Sequence, residues 1–370
     1  MNKLFLGALS GTSMDSIDIA LFNFSDNKVQ CLGNESAEFP EKIKKEILSI
    51  IIEKHDNEID NLIHDELGFL FSQSIIQLLS KLKIDHSDVC CIGMHGQTLS
   101  HNPTASPPIS LQLGNPQIVA NNTQIKTVAD FREKDINSGG QGAPLAPLFH
   151  NYVFRRAEAN TVVLNIGGLS NISILPSAKE ENVSGFDTGP GNTLLDQWVQ
   201  KIKKESFDHD GAWARTGKVS KELLDIMLSD TFFSLDPPKS TSVEHFNLRW
   251  LKKKLQGCDK SLSNEDIQAT LVELTASTIA DSIKTKSINE LIICGGGVYN
   301  SFLLERIITK IGKNIKIKSP LEYGIHPKLV EAGLFAWLAM RHIENKPVDT
   351  RNITGATEPN LLLGKLYETK

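Results

Sequence analysis

The segment Leu6-Gly7-Ala8-Leu9-Ser10-Gly11-Thr12-Ser13 has a counterpart about half a chain later, Val163-Leu164-Asn165-Ile166-Gly167-Gly168-Leu169-Ser170. Each is an apolar strand that turns through small residues into another strand. Two such openings point to duplicated βββαβ halves. Any two hairpins share this much, so the repeat is a lead that the rest of the chain has to support. The length, 370 residues, holds either two domains or one large doubly wound domain.

The pattern around each opening is consistent. Leu4–Ser10, Ile17–Phe24 and Val29–Ser36 read as three strands, with Gly11–Asp15 and Asp26-Asn27 as the turns. Helical periodicity follows, from Pro40 to about Lys54 and from about Glu58 to Leu82. Val89–Met94, Ile109–Leu113 and Ile125–Ala129 are short strands, with a short helix after Asn115-Pro116. Asp130–Pro147 is polar, glycine-rich and unperiodic, the kind of long loop that is usually functional, and it is a candidate crossing between domains. The pattern then restarts with strands at Thr161–Asn165, Asn171–Leu175 and Asn182–Phe186. Helices are expected over Thr193–Lys203, Ser220–Leu228, Asn264–Lys284, from Asn300, and over Lys328–Ile343, with strands at Leu291–Cys294 and Ile315–Ile317.

Composition excludes several classes of function. Apolar residues make up 40% and charged residues 22%, which predicts an ordinary hydrophobic core. The net charge of −5 offers no basic face for nucleic acid. Five cysteines without a CxxC pair suggest neither a disulfide framework nor a zinc site, and so a reducing compartment. No apolar run approaches a membrane span, and the expectation is a soluble cytoplasmic protein with no membrane or nucleic-acid partner.

Five segments carry chemistry. In Gly11-Thr12-Ser13-Met14-Asp15-Ser16-Ile17-Asp18, small residues let backbone N–H groups and hydroxyls approach phosphate oxygens, and a carboxylate in the turn suits a hydrated Mg²⁺. A plain Ser/Thr/Gly/Asp hairpin has the same composition. Asn165-Ile166-Gly167-Gly168 is the equivalent turn of the second half, and two such turns facing each other make a cleft for a nucleotide. Asp187, in Gly185-Phe186-Asp187-Thr188-Gly189-Pro190-Gly191-Asn192, ends a strand beside glycines, a good place for a general base or merely for a turn. Gly295-Gly296-Gly297, followed by Asn300, lets the backbone pass close to a flat base or to phosphate, or is only a tight strand-to-helix turn. His95, Gln97, Asp130, Arg132, Gln141 and Glu331 are polar groups in apolar or glycine-rich surroundings, of the types that grip sugars. Taken singly, each has an ordinary structural alternative.

Together these motifs resemble the anhydro-N-acetylmuramic acid kinase family. The likeness rests on Gly11–Asp15, Gly93-Met94-His95-Gly96-Gln97-Thr98, Asp130-Phe131-Arg132, Gly139-Gly140-Gln141-Gly142-Ala143-Pro144-Leu145, Asn165–Gly168, Phe186–Asn192, Gly295–Gly297 with Asn300, Glu331-Ala332 and Phe335-Ala336, in collinear order. It departs at Ser16, where the family usually has glycine, and at Val330, usually basic. The resemblance implies an α/β, two-domain actin/hexokinase-like fold, made of duplicated ribonuclease H-like βββαβαβα halves with an interdomain ATP cleft. The first domain is expected over 1–130, with the tail 348–370 packing back on it, and the second over 131–347.

It also implies the reaction. ATP, water and 1,6-anhydro-N-acetylmuramic acid give N-acetylmuramic acid 6-phosphate and ADP, in peptidoglycan recycling, by a homodimer. By motif match Asp187 is the base that activates water, with Glu331 a second group near that water. Gly11, Thr12, Ser13, Met14, Asp15, Ser16, Asp18, Asn165, Gly167, Gly168, Gly295, Gly296, Gly297 and Asn300 are expected around ATP, with Asp15 nearest Mg²⁺ through water. His95, Gln97, Asp130, Arg132 and Gln141 are expected around the sugar. Two rivals stand beside this reading: a kinase for another anhydro sugar such as levoglucosan, and a non-enzymatic ATP-dependent switch of the same fold.

Overall fold

The computed structural model describes residues 4–11, 16–25, 28–53, 61–103, 105–177, 183–258, 261–284, 287–312 and 314–370. Of the expected turn at Gly11–Asp15, residues 12–15 lie outside the described residues, as does the expected turn at Asp26-Asn27.

In chain order the first strands are β1 (Leu4–Ser10), β2 (Ser16–Ser25) and β3 (Lys28–Glu38). Helices α1 (Glu41–Glu53) and α2 (Asn61–Leu82) follow, then β4 (Val89–His95), the hairpin β5 (Gln97–Asn102) and β6 (Ile109–Leu113), helix α3 (Pro116–Thr123) and β7 (Thr127–Ala129). Helix α3 starts as the residues dictate: Asn115 caps it by accepting from the Gln117 and Ile118 N–H groups, and Pro116 occupies its first turn. The stretch read as an unperiodic loop holds the short helix α4 (Glu133–Asn137) and the start of α5 (Ala146–Phe154). Next come β8 (Thr161–Ile166), β9 (Leu169–Leu175), β10 (Ser184–Pro190), α6 (Thr193–Lys203), α7 (Lys221–Leu228), α8 (Leu248–Leu255), α9 (Asn264–Lys284), β11 (Glu290–Cys294), α10 (Ser301–Ile311) and β12 (Lys316–Lys318). The chain closes with α11 (Val330–Ile343), α12 (Arg351–Thr354) and β13 (Lys365–Tyr367).

Contacts divide the chain into Met1–Phe149 with Tyr323–Lys370, and His150–Glu322. In the first unit the sheet order is β13-β7-β4-β1-β2-β3. β1, β2 and β3 form an antiparallel meander, β1, β4 and β7 run parallel, and β13 closes the edge antiparallel to β7. In the second unit the order is β10-β9-β8-β11-β12, again with an antiparallel meander and two parallel additions. Each unit thus has the ribonuclease H-like strand order three-two-one-four-five, which is the duplication suggested by the repeated openings.

Each unit has its own core. In the first, Leu67, Phe71, Ile75 and Leu78 of α2 pack with Leu6, Ile19, Ile92 and Met94 of the sheet. In the second, Val162, Leu164, Leu291 and Ile293 pack with Leu271, Leu274 and Ile279 of α9 and Leu303 and Ile307 of α10. Glu273 on α9 accepts a bidentate pair from Arg306, at 2.8 and 3.0 Å, and meets Lys310 at 2.6 Å, tying α9 to α10.

The boundaries expected from the sequence fall at 130/131 and 347/348, whereas the first unit also takes in residues 131–149 and 323–347. For residues 323–347 the reason lies in α11, buried from Ala332 to Met340. It lies flush on the first sheet: a Cβ on Gly7 would sit 1.8 Å from the Ala332 carbonyl oxygen, and one on Gly93 1.9 Å from that of Phe335. Only glycine admits so close a backbone approach. Among the described residues no helix is long and apolar enough to cross a membrane.

Candidate active site

In the second unit three glycine-bearing loops meet. The turn after β8 is held by the segment after β10: Gly191 N–H and Thr193 N–H donate to the Gly168 carbonyl at 2.9 and 3.0 Å, and Asn192 N–H to the Gly167 carbonyl at 2.8 Å. Asn192 Nδ2 donates to the Ile166 carbonyl at 3.3 Å. The loop after β11 closes on the same turn. A Cβ on Gly295 would lie 2.5 Å from Asn165 Oδ1, and one on Gly297 2.3 Å from Ile166 Cγ2. Gly167 and Gly296 are different, since a Cβ there would meet nothing nearer than 3.5 and 3.9 Å. The set therefore has a packed underside and an open upper surface of backbone, which suits phosphate oxygens. Asn165, Gly167, Gly168, Gly295, Gly296 and Gly297 are brought together here. Asn300 has a plainer role, since its Oδ1 accepts the Leu303 N–H at 3.0 Å and caps α10.

Asp187 lies on β10 at an irregularity in its pairing with β9, and it is 9% exposed. Its Oδ2 accepts the Thr241 N–H at 2.9 Å, and its own N–H donates to the Lys239 carbonyl at 3.0 Å. Sequence reasoning missed Lys239 and Thr241. Their one signal was the run Pro237-Pro238-Lys239-Ser240-Thr241, which is irregular yet rich in donors.

In the first unit the C-terminal ends of β4 and β7 carry the polar set. His95 Nδ1 lies 2.9 Å from the Gly96 carbonyl, and Arg132 Nε donates to His95 Nε2 at 3.1 Å. A carbonyl only accepts and a guanidinium only donates, so Nδ1 carries the proton and the ring is neutral. Burial, with the Arg132 charge, pushes the imidazole down to about 3. Gln97 is buried and accepts from Ser10 Oγ at 2.7 Å, tying the end of β1 to β5. Asp130 sits in the left-handed region at φ 56°, and its Oδ2 accepts the Tyr367 hydroxyl at 2.5 Å. Burial and this bond to Asp130 raise the phenol above its ordinary range. A cavity of about 550 Å³ is lined by His95, Asp130, Glu133, Ser110, Gln112 and Tyr367 among others.

Of the expected sugar contacts, His95 and Asp130 line this cavity, while Gln97, Arg132 and Gln141 do not. Gln141 N–H donates to the Thr354 carbonyl at 2.9 Å, within a turn organised by buried Asp135, which accepts from Gly142 N–H and Thr354 Oγ1. Glu331 is exposed in the first turn of α11. Four residues on, Phe335 of the same helix packs on Gly93 and on the His95 ring. At the turn after β1, Gly11 is partly buried, and Asp18 Oδ1 accepts from Ser16 Oγ at 3.1 Å and Ser36 Oγ at 2.7 Å. Thr12, Ser13, Met14 and Asp15, expected at this turn, lie outside the described residues.

Two ribonuclease H-like units, one with a glycine cradle and a held carboxylate, are the build of the actin/hexokinase class. Comparison with known proteins narrows this. The family model described as anhydro-N-acetylmuramic acid kinase matches residues 3–369, and the chain belongs to that family. Relatives named anhydro-N-acetylmuramic acid kinase include one from Saccharophagus degradans, 44% identical over 99% of both chains. Another, from Shewanella oneidensis, is 43% identical over 99% of both. A third, from Coxiella burnetii, is 41% identical over 98% of this chain and 97% of its own. Among solved structures, an activator of 2-hydroxyisocaproyl-CoA dehydratase from Clostridium difficile with bound ADPNP aligns over 93% of this chain and 96% of its own. That alignment is at 12% identity and a TM-score of 0.46.

Proposed function

We propose that the protein is an ATP-dependent kinase of cell-wall sugar recycling in the cytoplasm, acting as a homodimer. Its reaction opens 1,6-anhydro-N-acetylmuramic acid with water and phosphorylates O6, giving N-acetylmuramic acid 6-phosphate and ADP. The observation that carries this reading is family membership along the whole chain, supported by the open glycine cradle and the held carboxylate.

The chemistry couples two steps. Water attacks the anomeric carbon while Asp187 takes its proton. The bond from that carbon to O6 breaks, and O6 receives the γ-phosphoryl group as ADP departs. Glycoside cleavage ordinarily needs an acid to protonate the leaving oxygen, and here phosphoryl transfer takes that place. A water between base and anomeric carbon gives inversion there. Thr241 N–H fixes one Asp187 oxygen, so the carboxylate keeps one orientation toward that water. Glu331 is the second carboxylate assigned to the water.

Gly167, Gly168 and Gly296, with the turn from Gly11 to Asp18, grip the phosphates, and Gly295, Gly297, Asn165 and Asn300 shape the surrounding wall. His95, Gln97, Asp130, Arg132 and Gln141 orient the sugar. Neutral His95 holds the Arg132 guanidinium by its Nε, which sets its plane for a forked pair with the lactyl carboxylate. The residues present fit Mg²⁺, which binds through few carboxylates plus water and phosphate oxygens. Asp18, on β2 with its two hydroxyl partners, is a described carboxylate of this segment, and Asp15 is the carboxylate assigned nearest the metal through water. When bound, Mg²⁺ neutralises charge on the transferring phosphoryl group.

The test is ADP release from Mg²⁺-ATP with and without 1,6-anhydro-N-acetylmuramic acid, with the mass of the product. Sugar-dependent release and a product heavier by one water and one phosphoryl unit are expected. Asp187→Asn should lower kcat by about 10²–10⁴ while sparing ATP binding. Near-normal kcat in that variant would remove Asp187 from the role of base. Sedimentation equilibrium checks the dimer, and a monomer mass at micromolar concentration would count against it.

A further inference from the structure

Residues 239–241 grip Asp187 by both its main chain and its carboxylate, yet they belong to no helix or strand. A segment without a ladder of its own holds a geometry only if something else anchors it. The anchor is the Lys239 side chain. Its Nζ donates to the carbonyls of Phe232 and Phe233 at 3.3 and 3.4 Å and lies 4.9 Å from the centre of the Phe232 ring.

The acceptors are themselves fixed. Phe232 N–H donates to Asp230 Oδ1 at 3.2 Å, and Asp230 Oδ2 accepts from Trp250 Nε1 at 2.7 Å and meets Lys254 at 3.5 Å. The Phe232 and Phe233 rings pack on Phe246, with centroids 5.6 and 5.5 Å away. Phe233 also touches β10 directly, since a Cβ on Gly189 would lie 2.7 Å from its ring. A contiguous path of rings, carbonyls and one ammonium therefore runs from α8 to the carboxylate of Asp187.

We propose that Lys239 is a positioning residue for the catalytic base, holding residues 239–241 so that the Thr241 N–H orients the Asp187 carboxylate. The inference rests on the reading of Asp187 as the base. Partial burial lowers the ammonium's pKa, and the Asp236 charge opposes this. A base displaced by about 1 Å loses about 10²-fold in rate, so the effect belongs on kcat.

The experiment compares Lys239→Met and Lys239→Arg with the unchanged full-length protein, varying ATP and the anhydro sugar separately. Lys239→Met should lower kcat about 10- to 100-fold with both KM values within about twofold. Lys239→Arg, which still offers several N–H donors to the two carbonyls, should recover most of the loss. Should the Met variant not fold, Lys239→Gln, which keeps an N–H donor without the charge, goes through the same comparison and should lose less. A raised KM for ATP with kcat retained would assign Lys239 to the nucleotide and overturn the proposal. So would an Arg variant no better than Met, or variants as fast as the unchanged protein. An unchanged protein without sugar-dependent turnover would instead sink the reading of Asp187 itself.

Discussion

Acidification from pH 7 to pH 5 tests the electrostatics of both units. His95 and His150 are both buried, 8% and 1% exposed. Burial, joined at His95 by the Arg132 charge, pushes each from 6.5 to about 3. A folded-state pKa below the unfolded one means that the unfolded chain takes up the proton first. The stabilisation is complete above pH 6.5 and is lost as pH falls toward 3. Each unmatched proton contributes a slope of about 1.4 kcal/mol per pH unit. Integrated from pH 7 to 5 with an unfolded pKa of about 6.5, each histidine loses about 2 kcal/mol, and the two together about 4. That is a large share of the stability of about 5–15 kcal/mol typical of folded chains. His101 is also held low, at about 4, by burial and Arg132, and being partly exposed it adds a smaller amount in the same direction. The assay is urea unfolding at pH 7, 6 and 5 at constant ionic strength, on the unchanged protein and on His150→Phe. The variant should have a ΔG that falls by about 2 kcal/mol less over this range. Parallel pH dependences would refute the argument, because they would mean that His150 is protonated equally in both states.

Three further outcomes follow from the packing. Gly93→Ala places a methyl 1.9 Å from the Phe335 carbonyl oxygen and should cost about 3 kcal/mol or more, seen as a lowered unfolding midpoint; unchanged stability would show that α11 is free to shift. Glu273→Gln should destabilise by about 1–3 kcal/mol. Burial opposes the Glu273 charge but Arg306 and Lys310 outweigh it and lower its pKa, so the deficit should shrink as pH falls below the carboxylate range, and a pH-independent deficit would contradict this. Ser16→Gly removes a 3.1 Å donor to Asp18 while the 2.7 Å bond from Ser36 remains. It should change stability by less than about 1 kcal/mol, and a larger loss in urea unfolding would show that the Ser36 bond alone does not hold the carboxylate.

The duplicated strand order was legible because its signals are local: apolar strands and small-residue turns at β1–β2 and β8–β9. The same holds for the glycine cradle, whose glycines fall at strand ends. Asn300 shows the limit of such reading. An Asn immediately before a helix is also a cap signal, and capping is what it does in the fold. Lys239, Thr241 and Tyr367 were not legible, since each matters through a partner far away in sequence: Thr241 through Asp187, and Tyr367 through Asp130. Pairings of that kind are decided by how the elements pack, which no local pattern encodes. The placement of α11 in the first unit was hidden for the same reason, although Gly7 and Gly93 inside apolar strands were the marks of a close backbone approach.

The arrangement of α11 and β13 has a consequence for biosynthesis. The first sheet begins at Leu4, but the helix that lies on β1 and β4 starts at Val330, and the strand that closes its edge starts at Lys365. A ribosome delivers His150–Glu322 whole while the first unit still lacks both its cover and its last strand. The nascent chain therefore carries an uncovered apolar sheet with an unpaired edge for most of its translation, the state in which chains aggregate or recruit chaperones. Until Lys365–Tyr367 pairs with Thr127–Ala129, β7 remains the open edge of that sheet.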